Sequence, residues 1–156
     1  MQKITLDEFR QYIDPKTLIF SPPSGFQTRT PEAEELYQIE KNVILQEWES
    51  LEDYCKVSFL EWKYFIAKQS NKNKAFHCFG CKKENLALAN FPYDLVNCEH
   101  YILWLSGYSD EKIAIENAKK ELLRLGFDLQ KTVIFRNEVK NLSVAGFPHI
   151  HFLAQK

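Results

Sequence analysis

The residues best suited to chemistry stand together in Phe147-Pro148-His149-Ile150-His151-Phe152. In an extended strand alternate side chains share a face, so His149 and His151 project together while Ile150 and Phe152 project to the other side. That other side, continued by Leu153 and Ala154, is apolar enough to lie on a core, which would present the two imidazoles. An imidazole is neutral near pH 7 and nucleophilic, and a backbone carbonyl against one ring nitrogen fixes the tautomer at the other. Such a ring can attack phosphorus, and a second imidazole on the same face can donate to the phosphate or the leaving group. The plainer reading is a strand that carries two surface histidines.

Residues upstream could complete such a site. Ala145-Gly146-Phe147-Pro148 reads as a turn that sets where the first histidine emerges. Asn137, Asn141 and Ser143 are short donors suited to phosphate or ribose oxygens, and Arg136 could offset charge. His100 heads the continuous apolar run His100–Leu105, and it converges on the same face if the two strands are neighbours. From residue 130 onward Lys131, Arg136, Lys140 and Lys156 face only Glu138, a local excess of +3 that suits an anion or a solvated surface.

A second constellation is Cys78-x2-Cys81, whose thiolates could take a zinc ion with Cys98 and His100 completing C-x2-C-x16-C-x-H. Buried free thiols are the alternative. A redox role has less support, because no βαβ context follows the motif.

The 156 residues suffice for one domain with a real core, and 45% hydrophobic with 26% charged residues are globular values. A net charge of -1 gives no whole-chain attraction to nucleic acid or an acidic membrane. No apolar run reaches membrane-spanning length, and Met1–Arg10 is too polar for a signal peptide. An intracellular protein, cytoplasmic or nuclear, with reduced or metal-bound cysteines is the expectation.

The positioning elements follow from periodicity. Ile4, Leu6, Phe9 and Ile13 predict a short helix over 4–13, capped by Thr5 or Asp7. Ser21–Phe26 breaks regular structure, with Phe20 and Phe26 as anchors. Thr30-Pro31 with Glu32 and Glu34 marks a helix start, and Leu36, Ile39, Val43, Ile44 and Trp48 give it an apolar stripe. Ser50 starts another helix, and the aromatic run from Cys55 to Phe65, which fits helix or strand, is read as helix. Its Tyr54, Phe59, Trp62, Tyr64 and Phe65 are read as core, since base-stacking surfaces interleave arginine. The polar stretch 68–74 is the candidate boundary between a helical part, 1–70, and a mixed part, 75–156, of a single domain. Beyond it come strands over Leu86–Ala89 and His100–Leu105, a helix from Ser109 to Gly126, a strand over Thr132–Phe135, and the histidine strand. The class is α+β, an antiparallel sheet with a packed helix.

The segments 90–104, Phe135-Arg136-Asn137 and 142–152 resemble an uncharacterised domain family of fungi and large DNA viruses. Their order is also similar to the histidine triad superfamily, in which these strands form a nucleotide-binding site. The resemblance covers about 75–156 and implies hydrolysis or transfer at a nucleoside phosphate through a covalent nucleotidyl-histidine. It makes His149 the first triad histidine, His151 the second and the nucleophile, His100 the histidine of the earlier strand, and Asn137 the ribose or phosphate asparagine. Histidine triad proteins sometimes carry a comparable C-x2-C and use the first triad histidine as a metal ligand, which would make His149 a further candidate for the zinc. The third triad position holds Leu153, where the galactose-1-phosphate uridylyltransferase branch has glutamine. Leucine cannot hydrogen-bond, which leaves a non-catalytic binding or assembly protein as the second expectation, with the helical part as its partner surface.

Overall fold

In the computed structural model, residues 3–138 and 147–156 are described. The main element is a five-stranded mixed sheet in the order β1-β6-β7-β5-β4. Its strands are β1 (Ile19–Phe20), β4 (Glu84–Leu88), β5 (Glu99–Leu105), β6 (Asp128–Asn137) and β7 (His149–Gln155). β7 runs antiparallel between β5 and β6, and β1 pairs in parallel with β6. The sheet is therefore mixed, where an antiparallel one was expected.

Register decides which side chains share a face. Trp104 lies opposite His149, Ile102 opposite His151 and His100 opposite Leu153, while Phe135 of β6 faces His151 from the other side. The reverse face carries Leu103, Leu105, Ile150, Phe152 and Ala154, which pack under α4 (Glu111–Arg124) through Ala114, Ala118 and Leu122. Period-two alternation thus assigns Ile150 and Phe152 to the core as expected. It also places Leu153 beside the histidines, not with Ala154.

The histidine face is covered as well. Leu6 and Phe9 of α1 (Leu6–Arg10), Phe20 of β1, Tyr93 and Leu95 bury Val133, Phe135 and Leu153. Cys55 and Leu60 of α3 (Leu51–Leu60) bury Trp104 and Phe147. His151 is therefore only 4% exposed and His100 2%, so the histidines are packed inside and not displayed on an open strand.

The first part of the chain is not wholly helical. α1 stops at Arg10, where the Tyr12 and Ile13 amides turn to the tighter i−3 carbonyls of Phe9 and Arg10, and Ile13 bridges to Phe20. Thr5 and Glu8 do form the capping box. α2 (Pro31–Glu47) begins at the Thr30 cap, but none of its residues is fully buried. The Leu36, Ile39 and Val43 stripe is 59%, 53% and 45% exposed, so it is a surface and not a core. α3 ends where Glu61 takes φ 58°, and the aromatic run turns into β2 (Lys63–Ile66). β2 pairs with β3 (Asn73–Phe76), making the polar stretch a hairpin turn instead of a boundary. Asp110, not Ser109, caps α4, its carboxylate accepting from the Ile113 N–H at 3.1 Å. Among the described residues no helix is long and apolar enough to cross a membrane.

Candidate functional site

Three imidazoles meet on the covered face of β5 and β7. The Tyr93 N–H donates to His100 Nδ1 at 3.1 Å, and His100 Nε2 lies 2.8 Å from His151 Nδ1. His149 Nδ1 lies 2.8 Å from the Phe147 carbonyl oxygen. His151 stacks on Phe135 at 4.8 Å, and His149 stands 5.2 Å from both Trp104 and His151 between ring centroids. The third imidazole of the cluster comes from β5, directly across from Leu153. Leu153 itself fills the aromatic cluster around Phe9 and Phe135.

All three rings are held neutral. Burial pulls His100 down to about 3, aided by the Arg29 charge and His149. Burial lowers His149 as well, against the Phe147 carbonyl, which favours its charged form. His151 lies well below its ordinary value, through burial and then through His100, His149 and Arg29.

His149 and His151 line a cavity of about 120 Å³ between the sheet and the α2–α3 pair. Its lining includes the aromatic Phe59, Phe91 and Trp104 and the polar Arg29, Glu40, Lys41 and Asn137. Arg29 is fixed by the Phe91 carbonyl at 2.8 Å, by Glu34 at 3.3 Å, and by the rings of Tyr37 and Tyr93 at 4.7 and 5.0 Å. Asn137 donates to Tyr93 Oη at 3.3 Å. His151 Nε2 is buried with no hydrogen-bond partner among the described residues. An unpaired buried donor beside a cavity is a position that a ligand's acceptor can fill.

His100, His149, His151 and Asn137 lie near one another here, and two other expectations are corrected. Arg136 is adjacent to Asn137 in β6 and so emerges on the reverse face, where it pairs with Glu111 of α4. The cations that line the cavity are Arg29 and Lys41 instead. Lys156 lies over Phe127 at 5.5 Å, also away from the histidines. Ser143, Asn141 and Lys140 fall outside the described residues.

The metal set does not assemble. The Cys78 and Cys81 side chains face each other in the loop before β4, with Cα atoms 5.7 Å apart. β4 begins opposite Leu105, the far end of β5 from Cys98 and His100, and strand residues of roughly 3.4 Å each put those two about 20 Å from the pair. Cys98 instead accepts from Gln155 Nε2 at 3.4 Å, and His100 is committed to Tyr93 and His151. His149, the other candidate ligand, stands on the sheet against Trp104. Among the described residues no group of three or more His, Cys, Asp or Glu could hold a metal ion.

Sequence reasoning did not single out Arg29, Tyr93, Lys41, Phe59 or Trp104 for the site. Only the pairing of strands and the fold-back of α2 bring them there. The Arg29-Thr30-Pro31 helix start and the position of Tyr93 before the buried strand were the available signals.

No family model matches the chain, and no curated protein matches it. A solved structure titled "Crystal Structure of HTC1" is similar at 16% identity and a TM-score of 0.49, over 83% of this chain and 76% of that one. So distant a likeness carries no functional argument. What the chain itself defines is an α+β protein with a neutral imidazole cluster beside a partly aromatic cavity.

Proposed function

We propose that the chain is a histidine-triad-like, intracellular nucleotide-binding protein, and that its ligand occupies the cavity between β7 and the α2–α3 pair. The observation that carries this reading is the unpartnered, buried Nε2 of His151 beside that cavity. An orphaned donor of this kind costs about 1–3 kcal/mol, which a ligand's acceptor would return. The aromatic lining, the Arg29 and Lys41 side chains and Asn137 supply the other contacts a nucleotide needs. Calorimetric titration with a panel of nucleotides, dinucleoside polyphosphates and nucleotide sugars tests it. Binding that His151→Phe removes is the expected result, and a panel that yields no binding overturns it.

Hydrolysis or nucleotidyl transfer through a covalent His151 is the enzymatic form of the same proposal. Three imidazoles neutral at pH 7 favour it. The hydrogen-bond direction opposes it, since a ring that accepts at Nδ1 carries its proton at Nε2, the nitrogen that would attack. Incubation with the same panel, followed by intact-mass measurement, looks for an adduct that His151→Ala abolishes.

A partner-binding role for the first part of the chain is favoured by the exposed Leu36, Ile39 and Val43 stripe on α2. Substituting Leu36→Ser with Val43→Ser would abolish such binding and leave the nucleotide titration unchanged.

A further inference from the structure

The hydrogen bonds of the cluster give the two histidines of β7 opposite characters. The Phe147 carbonyl can only accept, so His149 carries its proton on Nδ1 and a lone pair on the distal Nε2. The Tyr93 N–H can only donate, so His100 Nδ1 is bare and its proton sits on Nε2, where it is given to His151 Nδ1. His151 then bears its own proton on the distal Nε2. The two rings line the same cavity with centroids 5.2 Å apart, and their distal nitrogens differ in kind: an acceptor on His149 and a donor on His151.

A fully ionised phosphate presents acceptors alone. It would satisfy His151 and set its oxygens against the lone pair of His149. The Watson–Crick edge of a nucleobase instead presents an N–H beside an acceptor, and its flat apolar faces suit walls such as Phe59, Trp104 and Phe91. Arg29, Lys41 and Asn137 also line a second, larger polar hollow, together with Ser24, Gln38, Glu34 and Glu138. Arg29 is occupied there by Glu34, while Lys41 has no carboxylate partner among the described residues.

The geometry points to a nucleobase as the group held on the histidines, donating to His149 Nε2 and accepting from His151 Nε2–H, with ribose and phosphate directed toward Lys41. This rests on the nucleotide-binding reading and inverts the orientation that a histidine nucleophile requires, because the phosphorus lies away from the imidazoles.

Long-range nitrogen–proton NMR on protein with nitrogen-15 histidines, titrated separately with adenosine, adenosine monophosphate and inorganic phosphate, tests the assignment. The free protein should show the lone pair of His149 at Nε2 and that of His151 at Nδ1. Adenosine and its monophosphate should both move the two Nε2 resonances together, at concentrations where inorganic phosphate does not move that of His149. By calorimetry His149→Phe should weaken adenosine by ~10-fold or more, while removing the phosphate from the nucleotide should cost less. Reversed tautomers, or a monophosphate that binds where adenosine does not, overturn the orientation and leave nucleotide binding standing. Failure of all three probes to bind at millimolar concentration overturns both.

Discussion

His100 Nε2 and His151 Nδ1 lie 2.8 Å apart in the interior, and the Tyr93 N–H at His100 Nδ1 gives that contact its direction. A backbone amide cannot change from donor to acceptor, so the whole relay is set by one peptide group. It ends on the unpartnered Nε2 of His151 at the cavity.

His100→Ala breaks the relay at its middle. It leaves the Tyr93 N–H and His151 Nδ1 unpaired and opens a void in a fully covered region, for an expected loss of about 2–4 kcal/mol in urea unfolding. A change under about 0.5 kcal/mol would mean that the contact does not order the site.

Stability should fall with acid. Each of the three histidines has a folded value below its ordinary 6.5, so the unfolded chain binds more protons than the folded one between those values. Their contribution is intact above about pH 6.5 and declines by up to about 1.4 kcal/mol per pH unit per histidine as pH falls, for His100 down to about 3. Urea unfolding between pH 7.5 and 5 measures the slope. A flat profile would mean that the rings are hydrated.

Leu153→His would restore the missing triad residue in sequence but not in chemistry. The side chain is fully buried among Phe9, Phe20, Phe135 and Tyr93, and His100 directly across from it is already committed to Tyr93 and His151. The expected outcome is a loss of about 2 kcal/mol or more and no gain of nucleotide turnover. Turnover created by this change would contradict the packing.

Arg136→Gln tests the face assignment. Its guanidinium pairs with Glu111 at the start of α4 on the reverse side of the sheet, and both groups are about a third or more exposed. Nucleotide affinity should be unchanged, and stability should drop by less than about 1 kcal/mol. Weakened binding would return Arg136 to the site.

The sequence was most legible where period alone decides. His149 and His151 share a face because a strand alternates, Thr30 and Ser50 cap helices as their types suggest, and Asp110, inside the same start signal, displaces Ser109 by one residue. It was least legible where long-range pairing decides. Arg136 and Asn137 are chain neighbours on opposite faces, and which face held the histidines depended on strand order. The Cys78, Cys81, Cys98 and His100 spacing read as a ligand set only because sequence distance hides the length of β5. The run from Cys55 to Phe65 changed from helix to strand at Glu61, whose left-handed backbone no composition rule announces.

The most direct measurement is calorimetric titration of adenosine monophosphate into the intact protein and into His149→Phe and His151→Phe, each first shown to be folded by its cooperative unfolding. Saturable binding to the parent that both substitutions weaken by ~10-fold or more is the predicted result. Equal affinity across the three proteins would contradict a ligand seated on the imidazoles.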